Sequence, residues 1–153
     1  MNAFLESVGQ WPLSQTLQNV RWLIPLIQSA HIFTLAIVFT SAAIVDLRLI
    51  GLTGRGQTLH RLTTRFLPPV AWGVLVLLLT GLLLMVAEPK RAILNPYFQL
   101  KMAALVLVSA MTMAIARMAD RGEGGAMAKP IAIASLGLWL VIIVLGRWIA
   151  YGP

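Results

Sequence analysis

The sequence predicts an all-α membrane protein: a four-transmembrane-helix antiparallel bundle with a short N-terminal interfacial segment. Three observations predict it. Apolar residues make up 59% of the chain and charged residues only 11%, and the mean hydropathy is +0.85. A soluble domain carries about 25% charged residues, so this chain has less than half the charge that coats a globule, and lipid must cover the rest. The apolar residues fall into four runs, each near the roughly 20 residues that cross a hydrocarbon core. The breaks between runs are made of glycine, proline and charge. The 153 residues form a single integral membrane domain, 1–153, with spans at about 22–50, 66–87, 97–118 and 130–150.

Residues 1–20 mix Phe4, Leu5, Val8, Trp11, Leu13 and Leu17 with Asn, Gln, Ser and Glu6. No basic stretch precedes an apolar one, so a cleavable signal peptide is not expected. An amphipathic segment lying at the membrane surface is. Trp11-Pro12 breaks it, and Ser14 is placed to cap a new helical turn.

The first span, from about Trp22 to Ile50, contains Asp46 as its one acidic residue. Gly51, Gly54 and Gly56 then mark a polar turn that carries Arg55, His60 and Arg61. The second span runs from about Phe66 to Ala87, with Pro68-Pro69 in its first turn, where proline is tolerated. Glu88-Pro89-Lys90-Arg91 ends it, and Asn95-Pro96 starts the third. A glycine-rich loop, Gly122-Glu123-Gly124-Gly125, leads to Lys129-Pro130 and the fourth span. Gly73, Gly81, Ala103, Ala110, Ala114 and Gly146 are expected where helices approach closely, because packing rather than the hydrophobic effect associates helices in lipid.

An even number of spans puts both termini on one side. The loops after the first and third spans carry seven basic residues (Arg48, Arg55, Arg61, Arg65, Arg117, Arg121, Lys129). The terminal side carries five (Arg21, Lys90, Arg91, Lys101, Arg147). By the positive-inside rule both termini are expected in the periplasm of a bacterial inner membrane. The net charge of +7 comes from 12 Lys and Arg against 5 Asp and Glu. These cations sit at the edges of apolar runs, where they meet lipid headgroups, and no basic patch interleaved with aromatics remains for nucleic acid.

The chain has no cysteine and two histidines, which excludes disulfides, thiolate chemistry, iron–sulfur clusters and a multi-histidine metal site within one chain. Ionisable groups at membrane depth are expensive, and each is a functional hypothesis by default. His31 lies roughly 13 Å into the first span at 1.5 Å per residue, on one helix face with Gln28 and Asp46. Two readings stand for it: a neutral imidazole hydrogen-bonded across helices to a Ser, a Thr or a carbonyl, or an axial ligand of haem iron. His60, over ~25 Å away along the axis, reads as a headgroup-level loop residue and not as a second axial ligand. A sixth ligand would come from Met102, from Met85, from a second protomer, or be absent. Lys101 and Arg147 are expected near the same bundle end, either snorkelling to phosphates or pairing with haem propionates or Glu88. Asp46 is expected to form a salt bridge with Arg65 and Arg117 at the other end. Trp22, Trp72 and Trp148 read as interfacial belt residues, and Trp139 is deep enough to line a cofactor pocket.

His31-Ile32-Phe33, the run Asp46 to Gly51 (DLRLIG), Leu67-Pro68 with Trp72-Gly73, Thr80-Gly81, Asn95 to Lys101 (NPYFQLK) and Gly146 to Tyr151 (GRWIAY) resemble the signature of an uncharacterised bacterial family of four-helix membrane proteins. The resemblance covers nearly the whole chain. A more distant one is to the haem-binding, four-helix protoporphyrinogen oxidase membrane family and the related copper-resistance membrane proteins. It rests on His31, the Leu47-Arg48-Leu49 stretch and Lys101. That oxidase family also has a histidine in a later helix, and the third and fourth spans here have none.

These readings together imply a small cytochrome b-like membrane protein. Its expected cofactor is haem b, with His31 as the metal ligand and Gln28, Met102, Lys101 and Arg147 about the cofactor. Its expected role is electron transfer or haem-linked redox chemistry, with the lipid bilayer, a redox partner or a homo-oligomer as partners. The rivals are a copper-handling or transport protein, with Cu(I) held by His31 and methionines, and a non-catalytic assembly subunit.

Overall fold

The computed structural model describes residues 2–53, 56–121 and 128–151. Its elements are α1 (Asn2–Gly9), α2 (Pro12–Asn19), α3 (Leu23–Ile50), α4 (Leu59–Ala87), α5 (Pro89–Ile93), α6 (Pro96–Asp120) and α7 (Ala128–Tyr151), with no strand among the described residues. Helices α3, α4, α6 and α7 are each long and apolar enough to cross a membrane. They are the four expected spans. The glycine-rich loop after α6 lies outside the described residues.

The helix boundaries follow from local chemistry. Pro12 opens α2 at its first position, where a missing N–H costs nothing. Ser14 is therefore not a cap: it is buried, and its Oγ accepts from Gln18 Nε2 at 3.1 Å. Gly51 ends α3 with φ +92, the left-handed conformation glycine adopts without strain. Thr58 caps α4 by accepting from the Arg61 amide, and Asn95 caps α6 by accepting from the Tyr97 amide, with Pro96 next in line. Because α4 begins at Leu59, His60 lies in its first turn and not in a loop. Pro68 and Pro69 lie well inside the helix and not in its first turn. They leave the carbonyls of Thr64 and Arg65 without their usual i+4 donors.

Around the bundle α4 packs on α3, α3 on α7 and α7 on α6, and α4 and α6 meet only sparsely. The closest approach is α3 on α4: a Cβ at Gly73 would collide with Val38. At one end Tyr97 and Trp148 bring the start of α6 and the end of α7 together, ring centroids 5.6 Å apart. At the other, His60 Nδ1 lies 3.3 Å from Asp120 Oδ1, joining the start of α4 to the end of α6. Val38, Ala42, Leu77, Ala104, Val108 and Ile142 form the centre of an apolar core between these ends. Helix α6 faces that core with Ala104 and Val108 and also buries Ile115, Ala116 and Ala119, whereas Ala103 and Ala110 are exposed. The expected small-residue face is thus turned by one residue.

The N-terminal helices stack on the first end of the bundle, α1 against α5 and α2 against α4. Gln18 Nε2 also donates to Ala87 O at 2.8 Å, satisfying one of the carbonyls that the last turn of α4 leaves without an intrahelical partner. Outward-facing side chains of the spans are large and apolar, among them Ile32, Phe33, Val106 and Leu140. Trp72 belongs with them, 70% exposed near the middle of α4.

Candidate functional site

His31 projects from α3 toward α4, where its Nδ1 lies 2.7 Å from Thr80 Oγ1. The Thr80 hydroxyl donates its own proton to Val76 O at 2.7 Å. A hydroxyl has one proton to give. With the Thr80 proton on Val76 O, the imidazole proton sits on Nδ1 and Nε2 keeps its lone pair; with the Thr80 proton on Nδ1, the tautomer reverses. A second-shell oxygen that sets tautomer and ring orientation in this way is the usual partner of a metal-ligating histidine. A methyl at position 81 would rest 3.7 Å from His31 Cε1, so the ring packs directly over Gly81.

His31 lines a cavity of about 400 Å³ together with Gln28, Met85, Glu88, Lys101 and apolar side chains including Phe98. Lys101 enters from α6 and spans toward Gly146 on α7, 3.5 Å from Nζ to where a Cβ would stand. The cavity thus collects an imidazole, a thioether, a carboxylate, an amide and an ammonium from three helices and the α4 cap. Of the sequence-predicted residues, the structure brings together His31, Gln28, Lys101 and Met85. Arg147 is exposed beside Gly146 and does not line the cavity, and Met102 is 37% exposed on the outer side of α6. Arg147 thus stands at the bundle end expected for it, one residue from the lining Gly146, while neither it nor Met102 lines the cavity. Helical periodicity explains it: Lys101 and Met102 are 100° apart on α6, so only one of them can face inward.

Thr80 entered the sequence reading only in the Thr80-Gly81 pair of the family resemblance and was given no role there, because a threonine within an apolar run reads as helix packing. Its place next to Gly81, about two turns before the end of α4, was the available signal. Among the described residues no three His, Cys, Asp or Glu side chains gather as a metal cluster.

Asp46 differs from expectation. It is 2% exposed, with Oδ2 lacking any hydrogen-bond partner, and it makes no salt bridge with Arg65 or Arg117 among the described residues. Both arginines are exposed, and the Arg65 guanidinium lies 5.6 Å from the Phe66 ring centroid. Across from Asp46 on α7, Ser135 is near enough to act on the carboxyl, yet its Oγ falls outside hydrogen-bond geometry. Trp139 follows one turn later, buried in the core and away from the His31 cavity.

Four long apolar helices, with a cavity of mixed polar and apolar lining at one end of the bundle, define a multi-pass membrane protein. Residues 22–152 match the model of a family of unknown function, DUF6644, and the chain belongs to that family. The match begins at Trp22, so it takes in the whole four-helix bundle and the His31 cavity and leaves out α1 and α2. No curated protein and no solved structure matches the chain.

Proposed function

We propose that this is a small cytochrome b-like protein of the bacterial inner membrane that binds haem b at His31 for electron transfer with a redox partner. The observation that carries the reading is the His31–Thr80–Val76 relay, which, with the Thr80 proton on Val76 O, leaves Nε2 as a lone pair in an apolar, membrane-embedded site, the state an axial ligand needs. The cavity volume favours an organic cofactor over a bare ion, since about 400 Å³ lies within the roughly 300–1,000 Å³ range of small-molecule sites. Lys101 supplies a cation for an acidic substituent, and Met85 supplies a soft donor one turn beyond Gly81 on the same face of α4. Haem bound there contributes a one-electron couple. The protein's own part is to orient the imidazole, to balance the cofactor's negative charge at Lys101, and to exclude water with the apolar wall.

The test is the absorption spectrum of the purified protein. A Soret band is expected, lost in His31→Ala. Thr80→Val should keep the band but shift the midpoint potential, because the ring loses its oriented Nδ1–H acceptor. Absence of pigment, or a band unchanged in His31→Ala, overturns the assignment. The presence of Met85 beside His31 supports a second reading, Cu(I) held by imidazole and thioether. Stoichiometric copper without pigment in the same sample would select it.

A further inference from the structure

A glycine inside a helix costs stability relative to alanine, so each one in a span calls for a reason. In α4, Gly73 meets the Val38 side chain, a close approach of two helices, and in α7 Gly137 has no neighbour within 4 Å of where a Cβ would stand. Gly146 differs from both. The neighbours within 4 Å of its Cβ position are Lys101 Nζ at 3.5 Å and Lys101 Cε at 4.0 Å. Gly146 therefore does not bring the α6 and α7 backbones together. It leaves room for one side chain of α6.

Lys101 and Gly146 both line the His31 cavity. The lysine side chain crosses from α6 and rests its ammonium against α7 at the glycine. Among the described residues that ammonium makes no ion pair, although a cation at membrane depth is costly unless something compensates it. An alanine at 146 would touch Nζ in ordinary contact, whereas a longer side chain would stand where the ammonium stands. Gly81 serves the imidazole in the same way, 3.7 Å from Cε1 to its Cβ position. The imidazole and the ammonium are thus each seated on a glycine of a neighbouring helix. The seat at Gly146 fixes the charge beside the cavity, where a carboxylate can take a charge-assisted hydrogen bond from it.

We propose that Gly146 is a specificity-determining residue of the His31 site: by seating the Lys101 ammonium at the cavity, it makes the site prefer a ligand with free carboxylates over its neutral ester. This selection rests on the haem reading above, haem propionates being such groups. Ligation at His31 cannot make it, because the iron–imidazole bond is the same for acid and ester.

The test titrates the full chain, purified without added haem and held in phosphatidylcholine nanodiscs, with ferric haem and with its dimethyl ester. Binding is read at the Soret band, with empty discs subtracted for partitioning. The free acid should bind about tenfold more tightly than the ester, the lower end of what a hydrogen bond to a charged group contributes. Gly146→Leu and Lys101→Met should each bring that ratio to about one, and the double variant should change it no further. A steric effect of the new side chain lowers both affinities alike, so the ratio isolates the charge. Equal affinity for acid and ester in the unaltered chain, or a ratio unchanged in Gly146→Leu, overturns the proposal and leaves the haem reading standing. A Soret band with neither ligand overturns both together. Ester binding reports that a variant is folded, and where Gly146→Leu does not fold, a ratio that survives Lys101→Met overturns the proposal.

Discussion

His31 and Asp46 share one face of α3, yet the two residues meet different neighbours. At His31 the facing helix offers the Thr80 hydroxyl, 2.7 Å from Nδ1, which orients the imidazole through that single contact. At Asp46 the facing helix offers Ser135 outside bonding geometry, and Oδ2 is left without a partner. Removing one partner of a buried ion pair costs about 3–5 kcal/mol. Among the described residues Asp46 has no such pair, so Asp46→Asn should leave the melting temperature in detergent unchanged or raise it, because an incompletely satisfied charge is replaced by a neutral amide. A drop of the size expected for a broken buried pair would mean that Asp46 is charged and paired in the membrane. The inward direction of both side chains was legible in the spacing along α3. Their partners were not, since those belong to helices distant in the chain.

Among the elements, α4 departs furthest from its sequence reading. Two prolines normally mark a helix start, and taken so they put the first turn of the span near Phe66. The helix instead begins at Leu59, because Thr58 caps it and the prolines are accommodated within a long apolar segment. Neighbouring helices and threonine side chains can re-satisfy the freed backbone groups in lipid, so an intramembrane proline is less disruptive than in water. Gly73 and Gly81 were expected to mark close packing. Both face α3, Gly73 against Val38 and Gly81 beneath the His31 ring. Gly73→Ala should therefore destabilise the bundle by about 1–3 kcal/mol, the usual cost of overpacking. Val38→Ala in the same chain should recover part of the loss, measured as the thermal unfolding midpoint of the single and double variants. Equal midpoints for Gly73→Ala and the unaltered protein would show that α3 and α4 separate freely.

At the scale of the whole molecule the bundle has a cavity at each end and a dry centre. Gln28, His31, Glu88 and Lys101 line one, Thr63, Thr64, Ser109 and Asp120 line the other, and Val38, Ala42, Leu77, Val108 and Ile142 lie between. The basic residues are biased toward the Asp120 end, and the positive-inside rule predicts that this end faces the cytoplasm. The chain has no cysteine, so single substitutions report cleanly. An impermeant maleimide applied to intact cells should label Gln10→Cys and spare Gln57→Cys until the membrane is opened. The reverse pattern would invert the molecule, and with it the side from which each cavity is reached.

Four helices, their approximate ends and the inward face of α3 were determined by the sequence itself, because hydropathy, proline, glycine and helical period act on residues close in the chain. Chain-distant contacts were decided by tertiary structure alone. The packing of α4 on α3 pairs Thr80 with His31, 49 positions apart. The rotation of α6 turns Lys101 inward and Met102 outward. The sparse meeting of α4 and α6 leaves a second cavity that no motif announced. In lipid, where apolar faces do not distinguish bundle interior from exterior, these rotations are set by the fit of side chains across helices, and that fit appears only once the helices are assembled.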